Sequence, residues 1–186
     1  MKRFSFATII TATDNLPIAA HLPFLISEEN DHIILTSHFA RANPQWKDIE
    51  TNKVLVIFSE PHAYISPKHY DNERNVPTWN YVSVHAYGQG KIISDTDKVI
   101  ELLERTINNY EAAYKQQWDS FPVDYKFNLS AGIVAFNITV TDLQAKKKLS
   151  QNRSPNEQQK IIHSLSNSED TNEQLIAFYM KQHQLK

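Results

Sequence analysis

The sequence predicts an α+β fold: an antiparallel β-barrel or sandwich, mainly β, with one inserted helix and a pair of helices at the C-terminus. Three observations predict it. The first half alternates short runs rich in β-branched and aromatic residues with Asp, Asn and Pro breaks at hairpin spacing. Near Ser94 the apolar period changes from two to that of a helix, and it returns to a strand pattern after Gly132. Two helix-capping signatures follow, at Ser154 and Asp170.

The elements can be justified in order. "FSFATIIT" (Phe4–Thr11), "IAAHLPFLI" (Ile18–Ile26) and "HIILTS" (His32–Ser37) read as strands, and the breaks "TDNLP" and "SEEND" read as hairpin turns. "KVLVIFS" (Lys53–Ser59) is almost continuously apolar, which predicts a strand covered on both faces. "HAYIS" reads as a further short strand. In Tyr81–Ser94, Val82, Val84 and Ala86 alternate with Ser83, His85 and Tyr87. Residues 95–115 then read as a helix. Ser94 is its expected N-cap, with Asp97 three residues on, and Val99, Leu103, Thr106, Ile107, Tyr110 and Tyr114 lie on one face. "GIVAFNITVTDLQA" from Gly132 returns to the sheet. Ser154, Pro155 and Glu157 form a capping box with proline at the first helical position, and Asp170 with Glu173 repeats that logic. The expected domains are therefore a β domain over 1–145 and a loop with two helices over 146–186.

Composition excludes several function classes. With 186 residues and 41% hydrophobic residues, the chain can bury a sizeable core. The absence of cysteine removes disulfides, thiol nucleophiles and Cys-ligated metals. A net charge of -2 lacks the basic excess of a dedicated nucleic-acid binder. No apolar run approaches the roughly 18 residues of a membrane span, and no signal-peptide pattern follows "MKR". The chain reads as a cytoplasmic protein with no membrane partner. Three glycines leave no room for a glycine-rich phosphate cradle, and "GQG" (Gly88–Gly90) reads as a bulge or a close backbone approach.

Other residues carry chemistry. Arg41 stands after a strand and before an Asn-Pro turn in "SHFARANPQW", where a guanidinium suits a phosphate. "KKKLSQNR" (Lys146–Arg153) joins cations to neutral donors, and reads either as a second anion-binding segment or as a solvated loop. Trp79, Asn80, Tyr81 and His85 read either as core aromatics at a strand start or as a wall beside a flat heterocycle. His21, His38 and His85 read as strand hydrogen-bonding residues or as ligand contacts. None of the eight histidines is spaced as a helical metal pair.

Taken in order, "HLP", "SHFARANPQW", "EPHAYISPKHY", "VPTWNYVSVHAYG" and "KLSQNR" resemble the PaiB family of FMN-binding negative transcriptional regulators, over about residues 4 to 180. Members usually carry a further segment before the first strand, where only Met-Lys-Arg precedes Phe4 here. The resemblance implies an FMN-binding split β-barrel, related to pyridoxamine-phosphate oxidases, and a homodimer with flavin at the subunit interface. By position it implies Thr36, Ser37, His38 and Arg41 near the flavin and its phosphate, and His21 and Leu22 along the ring. It implies Trp79, Asn80 and His85 on a strand that reaches the partner's flavin. Lys148, Ser150, Gln151 and Asn152 fill the family's signature and are implied as further cofactor-binding residues. A flavin-dependent oxidoreductase of the same barrel class is the alternative. DNA enters as a partner through the family label alone.

Overall fold

The computed structural model describes residues 1–184. Seven strands are formed: β1 (Phe6–Thr13), β2 (Leu16–Pro23), β3 (Leu25–Glu29), β4 (His32–Ala40), β5 (Lys53–Ile65), β6 (Thr78–Ile92) and β7 (Ile133–Lys148). They make one antiparallel sheet, ordered β2-β1-β5-β6-β7-β4-β3, which does not close. This is the split-barrel arrangement of the sequence reading. Five helices accompany it: α1 (Thr96–Tyr110), α2 (Lys115–Ser120), α3 (Val123–Ala131), α4 (Pro155–Ser166) and α5 (Thr171–Gln184).

Local chemistry explains the hairpins. Thr13 pairs with Leu16 and Glu29 with His32, so each turn holds two residues. Asp14, Asn15, Asn30 and Asp31 all take positive φ, between 48° and 63°. That backbone matches the right-handed twist of the flanking strands, and Asp and Asn tolerate it best after glycine.

Several expected boundaries move. Ile18–Ile26 is two strands, since the chain breaks between Pro23 and Leu25 around the buried Phe24. "KVLVIFS" and "HAYIS" are one 13-residue strand, β5. Its first half is not covered on both faces; Val54, Val56 and Phe58 are buried, while Leu55 and Ile57 are half-buried. The N-cap of α1 is Asp95, not Ser94: its carboxylate accepts from the amides of Asp97 and Lys98. The buried face of α1 is Val99 and Leu102, one position away from the expected Leu103. The helix expected over 95–115 ends at Tyr110, and two further helices that periodicity does not mark follow it, α2 and α3. The capping box at Ser154 forms as read. At α5, Asp170 accepts from the amide of Asn172.

The chain divides into two compact units. The first comprises Met1–Phe58 and His85–Leu143. Its core stacks Phe39 on Phe136 at 4.8 Å, with Phe24 edge-on to Phe58 and Phe136. Val99 and Leu102 of α1 pack with Ala135 of β7. The second comprises Ser59–Val84 and the residues from Gln144 on. There Ala63, Ile65, Tyr70 and Leu149 are buried with Ile161, Ile162, Leu165, Ile176, Ala177 and Met180 from α4 and α5.

Candidate functional site

In the first unit Arg41, although exposed, is held by four hydrogen bonds. Its amide donates to the Gly132 carbonyl at 2.9 Å, and its own carbonyl accepts from the Trp46 indole at 3.2 Å. Its Nε donates to the Ala131 carbonyl at 2.6 Å, and one Nη donates to Ile133 at 2.8 Å. These carbonyls lie at the C-terminal end of α3 and the start of β7, where helix carbonyls otherwise lack donors. The guanidinium therefore caps a helix. Among the described residues its remaining N–H groups engage no protein acceptor.

The same guanidinium lines a pocket of about 460 Å³. Trp46, Ile93, Val99, Phe127 and Val134 supply apolar wall, and Ser94, Thr96 and Ser130 supply hydroxyls. The Asn-Pro turn positions Trp46. Asn43 accepts from the Gln45 amide and caps a 3-10 turn over Pro44–Lys47. Gln45, fully buried, donates to the carbonyls of Ile9 and Ile18 and so pins this turn to β1 and β2.

The other expected residues of this unit fall on its strands. His21 and Leu22 lie on the edge strand β2, opposite Thr8 and Ala7. His21 is exposed and stacks on Phe6 with ring centres 6.3 Å apart. Thr36, Ser37 and His38 are consecutive on β4. The Thr36 hydroxyl donates to Asn137 Oδ1 at 2.7 Å, and Ser37 donates to the Pro23 carbonyl at 2.7 Å. Both hydroxyls are thus engaged by protein acceptors. Burial holds the His38 imidazole below its ordinary pKa and favours its neutral form. His85 is half-buried on β6.

The second unit carries the rest. Trp79 is 52% exposed and lies 5.9 Å from both His62 and Tyr64, ring centre to ring centre. Asn80 is fully buried and exchanges hydrogen bonds with Ser150, at 3.0 and 3.1 Å. Ser150 takes φ 58°, the left-handed region unusual for serine. Gln151 supports that turn, accepting from the Leu149 amide and donating to the Lys147 carbonyl. Lys148 donates to the Thr78 hydroxyl. Asn80, Lys148, Ser150 and Asn152 line one pocket of about 250 Å³ with Thr78 and Arg153. Among the described residues no cluster suited to a metal ion occurs, and no helix is long and apolar enough to cross a membrane.

The Arg41 pocket has the features a flavin nucleotide needs: apolar walls, a few convergent donors and a fixed cation that, among the described residues, has no carboxylate partner. Its volume lies within the roughly 300–1,000 Å³ of small-molecule sites. Sequence reasoning found Arg41 but not Ser94, Thr96 or Ser130. Serine and threonine are too common near helix ends to stand out, and Ser94 in particular reads as a cap.

The family described as "Putative FMN-binding domain" matches residues 1–142. The chain belongs to this family. It is 41% identical over 180 residues to "Protease synthase and sporulation protein PAI 2" of Bacillus subtilis (strain 168), covering 95% of this chain and 86% of that protein. The PaiB resemblance carried by the five motifs is thereby borne out, and FMN is the cofactor the family implies. Solved structures share the fold. The "FAD and Heme binding protein" of Mycobacterium smegmatis superposes with TM-score 0.60 at 13% identity, covering 79% of this chain and 67% of that one. The "Flavocytochrome Anf3" of Azotobacter vinelandii gives 0.59 at 16%, covering 77% and 62% respectively. Every residue lining the Arg41 pocket lies inside the matched segment, whereas Lys148 to Arg153 lie beyond it.

Proposed function

We propose that this PaiB-family chain is an FMN-binding regulatory protein that anchors the flavin's phosphate on Arg41. The observation that carries this reading is the guanidinium itself. Two backbone carbonyls fix its plane, among the described residues no carboxylate neutralises it, and it lines an apolar pocket rimmed by hydroxyls. A phosphate near charge -2 gains charge-assisted hydrogen bonds from such a group, each worth about 1.5–3 kcal/mol. Ser94 and Thr96 would add neutral donors, while the Ser130 hydroxyl already donates to the Phe127 carbonyl at 2.7 Å. FMN, once bound, would supply a redox-active isoalloxazine; the protein would position it and exclude water.

The remaining assignments are proposals on the family resemblance: His21 and Leu22 along the ring, Thr36, Ser37 and His38 beneath it, and Trp79 and His85 toward a second copy; Asn80, implied beside them, is instead fully buried against Ser150 and Met180. An exposed aromatic group of His62, Tyr64 and Trp79 supports a homodimer, since so much aromatic surface is uncommon on a face left to solvent. Light scattering of the purified protein reads the dimer directly. The regulatory role rests on likeness to the Bacillus protein named for protease synthesis and sporulation.

The flavin reading is tested by quenching of FMN fluorescence on titration with protein. Arg41→Ala is expected to weaken FMN by at least about tenfold, the loss of one charge-assisted contact. Arg41→Lys retains the charge without the paired donors and is expected to fall between. Equal affinity for all three proteins would remove Arg41 from the phosphate site.

A further inference from the structure

We infer that the second unit carries a separate binding site for a small phosphate-class anion, built from Lys148, Arg153, Asn152, Ser150, Asn80 and Thr78. The inference does not depend on Arg41 holding FMN. It departs from the flavin role that the resemblance implies for the Lys148–Asn152 segment.

The pocket these residues line is about 250 Å³. That is below the usual range for drug-sized ligands and suits a compact anion better than a tricyclic flavin. Its electrostatics are one-sided. Lys148 and Arg153 bring two positive charges, and among the described residues neither forms an ion pair. Lys148 donates to the Thr78 hydroxyl, which leaves further N–H donors on its ammonium. Arg153 lies flat on the Tyr70 ring, 3.6 Å above its centre, and donates through Nη1 to Asn75 Oδ1 at 3.0 Å. Stacking on the ring and this hydrogen bond fix the guanidinium plane, which is the condition for presenting its paired donors to an oxyanion.

The floor of the pocket is equally fixed. Asn80 is fully buried, and besides exchanging bonds with Ser150 it donates to the Met180 sulfur at 3.6 Å. Ser150 is 5% exposed and keeps a left-handed backbone, a conformation that costs energy in any residue but glycine. Gln151 braces that turn through two backbone bonds, at 2.7 and 2.6 Å. Asn152 lines the same pocket, and among the described residues its amide donates to no protein acceptor. Two cations without an ion pair and a nearby amide, set around an ordered floor, converge their donors where an oxyanion can accept from them.

Inorganic phosphate is the probe, followed by 31P NMR line broadening and by calorimetry. The titrations use FMN-treated protein, with FMN affinity measured in parallel. Phosphate is expected to bind the full chain, and Lys148→Met and Arg153→Met are each expected to weaken it by at least about tenfold. Asn152→Ala, which removes only a neutral donor from an exposed position, is expected to weaken it less. All three variants are expected to keep FMN affinity within about twofold, and circular dichroism melting reports whether each is folded. Loss of phosphate binding with intact FMN binding supports the second site. An absence of phosphate binding by the unaltered chain overturns it. If Lys148→Met or Asn152→Ala loses FMN and phosphate together while folded, the pocket belongs to the flavin and the inference is likewise overturned. Phosphate binding without any FMN binding would sink the flavin reading instead.

Discussion

At the scale of single residues, two side chains show how position changes meaning. Arg41 was recognisable from sequence as a cation at a strand end, yet its capping of α3 was not, because its acceptors lie some 90 residues on. His38 is the second. Burial lowers its pKa, so the folded protein resists protonating it while the unfolded chain takes up a proton near the ordinary value of about 6.5. The unfolded state therefore binds more protons just below that value. Stability is fully present above about pH 6.5 and is lost as pH falls through the interval below it. His69 acts with the same sign, lowered first by burial and then by Lys68 and Lys160. Urea unfolding measured between pH 5 and 8 is expected to show this loss, and His38→Gln is expected to flatten it. An unchanged pH slope in that variant would assign the effect elsewhere.

Elements were legible where one local rule dominated. The Asp14–Asn15 and Asn30–Asp31 turns and the Ser154 box are set by residues adjacent in sequence, and they formed as read. The box even extends: Glu157 accepts both from the Ser154 amide and from the Asp71 amide, at 3.2 and 2.9 Å. By contrast, α2 and α3 carry no clear periodic signal: α2 has six residues with Trp118 as its one large apolar residue, and in α3 Val123, Tyr125, Phe127 and Leu129 are all exposed to a large degree. Such helices depend on tertiary partners, and α3 is capped by Arg41 from a distant strand. "GQG" was read as a close approach, and the sheet supplies the reason. A methyl at Gly88 would collide with the Thr139 carbonyl oxygen and come within 2.6 Å of Ile138 Cγ2, while one at Gly90 would lie 2.7 Å from the Ile49 carbonyl oxygen. Backbone cannot yield as a side chain tip can. Gly88→Ala is expected to cost about 1–3 kcal/mol or more, as overpacking does. Thermal melting checks it, and a melting temperature equal to the parent's would contradict the close packing of β6 on β7.

For the whole molecule, charge separates the readings that the family label leaves together. The motifs made the family legible, because five spaced segments are specific where any one is not. Nothing in the sequence made a base-reading surface legible, and the fold gives the tail helices other work. Ile161, Ile162 and Leu165 of α4 and Ile176, Ala177 and Met180 of α5 are buried in one core. The ammonium of Lys160 on α4 is engaged by Asp71 at 2.7 Å, which leaves little free positive charge on that helix. A recognition helix needs basic or amide side chains along the face it offers to the groove. With a net charge of -2, the chain also lacks the general attraction that draws proteins to phosphate backbones. Fluorescence anisotropy on duplex DNA at physiological salt is accordingly expected to show no binding tighter than the non-specific range of about 10⁻⁴–10⁻⁶ M. A nanomolar complex with one operator, weakening steeply as salt rises, would instead require that two copies assemble a basic surface that one copy does not display.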